Sequence, residues 1–512
     1  MAVYENLGID FGTCSIKISD YNAKRDEMKA VRIDKKDTND DRKVPNVIRY
    51  DARDKFILGD VALRSKVNRN LSNNIVELIK IKLEAEKWTK KFEDLGFSLT
   101  AEDIAADIFS CINNAIKNNG QDIQSAVVTV PVCFTEVQRN RIVKAATKAG
   151  LPVLNSISEP VAALFAFKEE FFEDECDENV VVFDFGGATL DLCLAHVENY
   201  GDIDIDIIAT KGWLFGGTDV TRMIYDEIIY PAYKDVIEEE KSLSTTGIVE
   251  SDFMEIAESL KTKAFDEYEV DEEEEITEYF VNGQKHRNIS VVLTKKEIIN
   301  CLNKNKFFDK LRLILDDLFF DCDLEKNDVT KVKIIGGTSR MSIIREFLND
   351  YFGEDICDMD CDYEITYRSV ANGASYYAYL LNNETNINIT NSIPYSINML
   401  IEGQFKRVLS RNQKYNTFTP RKKLVLDELE QNNWKIPLYQ AFSMQDDVSF
   451  SEKDSAIYMG SFKLDSEAYD KNLVTMYRIG IDNNGQAVLE TYVLDEESEL
   501  SKVESVIVTI GE

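Results

Sequence analysis

The chain carries one short pattern twice. Gly8-Ile9-Asp10-Phe11-Gly12-Thr13 and Val182-Phe183-Asp184-Phe185-Gly186-Gly187 each read as an apolar strand delivering an aspartate, a phenylalanine and a glycine turn, and each leads into a second apolar strand. A strand that delivers Asp and then turns through Gly brings backbone N–H groups within reach of phosphate oxygens, because no Cβ blocks the approach. Asp10, Gly12 and Thr13 fit that need, and Asp184, Gly186, Gly187, Ala188, Thr189 and Asp191 would meet it from the opposite side. One such turn is ordinary loop chemistry. Two copies predict a polyphosphate clamp with a hydrated Mg²⁺ held between the carboxylates of Asp10 and Asp184.

A third segment, Ile334-Ile335-Gly336-Gly337-Thr338-Ser339-Arg340, runs a strand into paired glycines and a helix start, which lets a flat base and ribose lie against backbone. Neither a GxxxxGK[ST] loop nor a GxGxxG turn after a strand is present, so the phosphates must be held in another way. Short apolar runs at Leu7 to Asp10, Ala126 to Val130, Val180 to Asp184 and Val332 to Ile335 alternate with helical periodicity over Glu102 to Lys117, Glu136 to Ala149, Asp252 to Ala264 and Ser339 to Tyr351. The fold class is therefore α/β over most of the chain.

The 512 residues exceed one compact core and predict more than one domain. From Asn382 to Asn391 the composition turns to Asn, Thr and Ile, and beyond it short alternating strands follow, with Asn484-Gly485 at a hairpin tip. The expected division is a nucleotide-binding domain over 1–382, a linker over 383–391 and a β-domain over 392–512. With 59 Lys and Arg against 92 Asp and Glu, the net charge of −33 repels phosphate backbones and anionic membranes, so neither nucleic acid nor membrane is an expected partner. Most of these acids, including the run Asp271 to Glu275, read as solvated surface. Nine scattered cysteines with no CxxC pair, no basic leader before an apolar run and no long apolar stretch predict a cytoplasmic protein.

The two hairpins and the glycine pair, in this order, resemble the phosphate and adenosine motifs of the superfamily that includes actin, sugar kinases and seventy-kilodalton heat-shock proteins. The chaperone branch is singled out by Val128-Thr129-Val130-Pro131 with Gln138-Arg139, by Ala149-Gly150-Leu151-Pro152-Val153-Leu154, and by Ile157, Glu159-Pro160 and Ala162-Ala163. Phe215-Gly216-Gly217-Thr218-Asp219, Glu258 with Lys261, and Val370-Ala371-Asn372-Gly373-Ala374 extend the likeness over roughly residues 6 to 380. Past the boundary, Ile393 to Ile397, Val408 to Asn412, Gly460 to Leu464 and Ile479 to Val493 are similar to the family's peptide-binding sandwich. The resemblance implies an actin-like ATPase domain with duplicated subdomains followed by an all-β peptide-binding sandwich.

It also implies roles. Asp10 and Asp184 would organise the water shell of Mg²⁺, while Thr13, Cys14 and Thr189 would lie at phosphate. Gly12, Gly186, Gly187, Gly216, Gly217, Gly336 and Gly337 would admit ATP or ADP close to backbone. Thr338, Arg340, Glu258 and Lys261 would take the adenosine. Glu159 would position the attacking water with a lysine, for which Lys80 is the better candidate and Lys82 the alternative. Ile401 and Phe405 are the implied peptide-pocket residues, although both also read as ordinary sandwich core. Partners implied are unfolded or extended apolar polypeptides, a J-domain co-chaperone and a nucleotide-exchange factor.

The chain departs from the family pattern at Ala188 in the second phosphate turn, and at Thr262, Phe265 and Tyr367 on the adenosine side. Its linker, Asn386-Ile387-Asn388-Ile389-Thr390, is polar at every second position, which predicts weak docking on the first domain. Val506 to Ile510 reads as a last strand with no long helices after it, an expectation of a lidless member with fast substrate exchange. The alternative function is a nucleotide-binding scaffold for a dedicated partner, with little ATP turnover. A sugar kinase is disfavoured by the Val128 to Ala163 segment and the β-domain.

Overall fold

Leu7–Phe11 and Ala126–Val130 are apolar enough to demand cover on both faces, and every residue of both strands is buried inside one sheet. The computed structural model in which they lie describes residues 2–33, 44–65, 71–83, 88–132, 134, 136–243, 248–265, 271–282, 287–320, 322–358, 363–383, 387–401, 404–426, 434–441, 456–470, 473–482, 486–494 and 500–508.

The first sheet runs Val153–Ser158, Ala126–Val130, Leu7–Phe11, Ser15–Asn22, Glu27–Ala30, and a short strand Val44–Pro45 also pairs with Ser15–Asn22. The second runs Cys357–Asp358, Lys331–Ile335, Cys176–Phe185, Leu190–Asn199, Ile203–Trp213 and Ile387–Thr390. Through their first five strands the two match: two parallel strands, then a central strand that pairs in parallel with them and in antiparallel with its hairpin mate, then a third antiparallel strand. The duplicated motif thus marks a duplicated architecture, the actin-like arrangement.

Helices clothe the sheets for local reasons. Ala101–Asn118 begins in a capping box between Thr100 and Asp103 and buries Ile104, Ile108, Ile112 and Ile116, four residues apart, on the first sheet. On the far side of the second sheet, Phe253 and Leu260 from Ile248–Phe265 and Leu311 and Leu315 from Phe307–Phe319 belong to one core. Between the sheets lie Glu159–Leu164 and the long helix Tyr363–Asn382, and this core contains Val161, Val182, Ile335 and Ala374. Contact there is backbone to backbone. A Cβ on Gly373 would stand 1.6 Å from the Ala162 carbonyl oxygen, and one on Gly8 would stand 2.3 Å from the Ala371 oxygen and the Ser375 nitrogen.

Beyond Ser392 two antiparallel four-stranded sheets enclose a core that includes Ile397, Leu438, Phe462, Ile479 and Leu489. Their orders are Gln404–Leu409, Ser396–Ile401, Lys435–Ala441, Ala456–Lys463, and Lys422–Lys423, Val474–Ile481, Ala487–Leu494, Leu500–Ile507. The Asn484-Gly485 tip and residues 509 and 510 lie outside the described residues. Among the described residues seven cysteines are free, and no helix is long and apolar enough to cross a membrane.

Glu490 anchors the second β-sheet by accepting hydrogen bonds from Arg478 Nε and the Tyr492 hydroxyl, both at 2.6 Å, and from Lys502. Burial alone would raise its carboxyl, but Lys502, Tyr492 and Arg478 outweigh it and hold the group down at about 2. A depressed carboxyl contributes stability above its unfolded value of about 4.5 and loses it as pH falls toward 2. We therefore expect Glu490→Gln to destabilise the β-part by roughly 1–3 kcal/mol at neutral pH, with the deficit vanishing in acid. Urea unfolding followed by the fluorescence of Trp434, which stacks on Tyr469, in a Trp88→Phe, Trp213→Phe background checks both. Equal midpoints at pH 7 would refute it.

The linker departs from expectation. Ile387–Thr390 adds a sixth strand to the second sheet, parallel to Ile203–Asp206, so it is docked and not loose. Its polar alternation is the period-two pattern of a strand with one covered face. Ile387 and Ile389 pack against the inter-sheet core while Asn388 and Thr390 are exposed.

Candidate functional site

The two hairpin turns face each other across a cleft of about 1170 Å³ between the sheets, space enough for a nucleotide. Their approach is close: a Cβ on Gly187 would stand 2.7 Å from Cys14 Sγ of the opposite turn. The second turn is pinned from behind. Gly217 N donates to Gly186 O at 3.0 Å, Thr218 N to Gly187 O at 2.8 Å, and the Thr338 hydroxyl to Gly186 O at 2.8 Å. Gly336 takes φ +89°, and an added Cβ would lie 2.5 Å from Asp184 Oδ1, so glycine is required there on both counts.

Of the residues read from sequence, Asp10, Gly12, Thr13 and Cys14 line one wall, and Asp184, Gly186, Gly187 and Thr189 line the facing one. Glu159 joins them, and Gly217, Glu258, Lys261, Gly336, Gly337, Thr338 and Arg340 line the remainder. Gly216 stands just behind the wall. Its own Cβ would strike Ala188 N at 2.4 Å, and its N–H donates to Asp219 at 2.7 Å at the start of the helix Gly217–Ile224. Ala188 is buried at the wall and is not among the described residues with positive φ, so its methyl introduces no left-handed strain.

Lys80 also lies behind the wall, only 1 % exposed, in ion contact with Glu159 and 5.7 Å from the centre of the Phe134 ring. Leu78 turns the chain there at φ 53°, a conformation rare for leucine, and the short helix Ile79–Lys82 buries Ile79 and Lys80. Lys82 is exposed. Glu159 opens its helix with Pro160 beside it, in the first turn where a carboxylate is favoured. Burial, with Asp191 and Asp10 nearby, raises its carboxyl to about 7 against the pull of Lys80. Burial, then the charges of Glu159, Asp191 and Asp10, push Asp184 well above the ordinary carboxylate range. A site so rich in buried carboxylate is short of positive charge.

Lys261 is no surface ion pair. It is 5 % exposed and donates to Gly217 O and Thr221 Oγ1, both at 3.0 Å, and to Glu258 at 2.7 Å. Thr262, Phe265 and Tyr367 also line the cleft, so three of the departures from the family pattern converge on it. Ile401 pairs with Gln404 and Phe405 with Leu400 at the turn between the first two β-domain strands, while their side chains lie outside the described residues.

Sequence reasoning missed Lys17. Its ammonium donates to Asp10 at 2.8 Å and lies 4.7 Å over the Tyr367 ring, inside the cleft. The signal was available: with four residues between the paired Phe11 and Ile16, the seventh residue after the aspartate comes back opposite it.

The donor set fits Mg²⁺ and a nucleotide. Asp10 and Asp184 supply hard carboxylate oxygens, and the turns at Gly12 and Gly186-Gly187 leave backbone open to phosphate.

A family model described as Hsp70 protein matches residues 6–468. Among curated proteins, the chaperone protein DnaK of Nitrosopumilus maritimus (strain SCM1) is 27% identical over 323 residues, 61% of this chain and 47% of that protein. That alignment therefore spans about half of its relative's length. The DnaK of Carsonella ruddii (strain PV) is 23% identical over 515 residues, 96% of this chain and 81% of that protein. The DnaK of Stenotrophomonas maltophilia (strain R551-3) is 23% identical over 472 residues, covering 87% and 70%.

Proposed function

The chain belongs to the Hsp70 protein family, and from that footing we infer that it is a chaperone which binds and hydrolyses ATP in its cleft and holds extended apolar polypeptide segments in its β-domain. The observation that carries this reading is the pair of Asp-bearing turns facing each other in front of the buried Lys80–Glu159 pair. The working division is 1–382, 383–391 and 392–512.

Asp10 and Asp184 would hold Mg²⁺, which when bound offsets charge on the terminal phosphates. Thr13, Cys14, Thr189 and the glycine turns orient the phosphate chain. Glu159 orients the attacking water and takes its proton, and Lys80 fixes the carboxylate from behind. Glu258, Lys261, Thr338 and Arg340 take the adenosine, with Gly336 and Gly337 giving it room. No histidine is needed, because phosphoryl transfer depends on positioning and charge. The expected polypeptide partners are unfolded chains, a J-domain co-chaperone and a nucleotide-exchange factor, and the free cysteines support a reducing, cytoplasmic setting.

Single-turnover hydrolysis of ATP, with and without an extended apolar peptide, tests the reading. Slow Mg²⁺-dependent turnover that the peptide accelerates severalfold is the expected result. The convergence of Ala188, Thr262, Phe265 and Tyr367 on the cleft favours one other reading, a nucleotide-dependent scaffold with little turnover. Tight ATP binding with no hydrolysis, or with a rate blind to peptide, would establish it instead.

A further inference from the structure

The duplicated hairpins differ in charge at one matching position. In each, the residue seven places after the aspartate returns directly opposite it across the hairpin, giving the pairs Asp10 with Lys17 and Asp184 with Asp191. In the second copy that position is an acid turned away to accept from Val132 N at 2.6 Å. In the first it is an ammonium on the cleft side, with the Lys17 side chain 14% exposed.

Four carboxylates surround this point, Asp10, Glu159, Asp184 and Asp191, all buried, and Lys80 is engaged by Glu159 behind them. Lys17 is thus the lysine that reaches the cleft from the hairpin itself. Its ammonium is held 2.8 Å from the Asp10 carboxylate at the cleft wall. One of its three N–H donors goes to Asp10, and the Tyr367 ring, a cation-binding face, supports the ammonium from one side. The ammonium stands at the turn where the phosphate chain is read to lie, with donors left to meet oxygens.

Resting on that nucleotide reading, we propose that Lys17 is a phosphate-contacting residue, a tethered cation that bridges Asp10 and the phosphate chain of the bound nucleotide. Its effect needs the phosphates and is absent for the nucleoside. It makes this site more selective for polyphosphate than two aspartates and a metal would be alone.

The experiment is equilibrium binding of ATP, ADP and adenosine, with Mg²⁺, to the full chain and to Lys17→Met and Lys17→Gln. Loss of a charge-assisted hydrogen bond is expected to weaken ATP and ADP by roughly 10- to 100-fold and leave adenosine within about twofold. Lys17→Gln, which keeps a donor for Asp10, retains the fold if Lys17→Met does not, and shows the same selective loss. Variants that bind ATP as tightly as the parent, or more tightly because Asp10 is freed for the metal, overturn the proposal and leave the nucleotide site intact. A parent chain that binds neither ATP nor adenosine overturns the nucleotide reading and this inference together.

Discussion

Glu159→Ala is expected to reduce single-turnover ATP hydrolysis by roughly 100-fold or more while ATP remains bound, because a positioned general base contributes about that much to a proton transfer. Glu159 is the carboxylate in the cleft wall that has a buried ammonium directly behind it. Lys80, at 1 % exposure, loses its carboxylate partner once that side chain is gone. An unpaired buried charge costs about 3–5 kcal/mol, so the variant will also melt earlier. Glu159→Gln separates the two effects: it keeps the volume and an oxygen for Lys80, regains much of the stability, and still lacks the base. Binding and rate measured on the same samples decide the matter. Hydrolysis within about threefold of the parent in both variants would remove Glu159 from the chemistry.

Gly373→Ala is expected to lower unfolding stability by about 3 kcal/mol or more, the upper range for overpacking, because the new methyl would meet backbone and not a side chain that can rotate. The Ala162 carbonyl stands 1.6 Å from where it must go, and both helices at that crossing sit between two sheets with no room to retreat. Gly337→Ala is the control. Its added methyl meets nothing within 4 Å, and its φ of −65° suits any residue, so its urea midpoint should move by less than about 0.5 kcal/mol in stability. Similar midpoints for the two variants would show that the helix crossing yields to an added methyl.

The difference between these two glycines shows where a sequence stops being legible. Both sit in recognisable motifs, and nothing local distinguishes the one that faces the open cleft from the one that admits a helix. The hairpins were readable because each is a local pattern, and repeating it in register points to a shared architecture. The strands Ala126–Val130 and Lys331–Ile335 and the helix Ala101–Asn118 were readable for the same reason, since their periodicity is set by the nearest core. The preference for Lys80 over Lys82 agrees with the contact to Glu159, but local pattern does not fix it, because it depends on how Leu78 turns the chain toward a carboxylate 79 residues away. The docked linker was misread for a related reason. Alternating Asn and Ile means weak contact for a loop and a well-seated strand for a sheet edge, and only the partner strand decides between them.

That seated strand has a consequence for solubility. Ile203–Asp206 is the outer margin of the second sheet, and Ile387–Thr390 satisfies its main-chain donors and acceptors over four residues. Whenever the linker leaves, a bare β-edge opens beside Ile205 and Ile207, the kind of template on which chains add strand to strand. Asp204 and Asp206 alternate with those isoleucines along the same margin. These carboxylates, with Asp206 paired to Lys414, set charge along the margin that the linker covers, which discourages strand addition there.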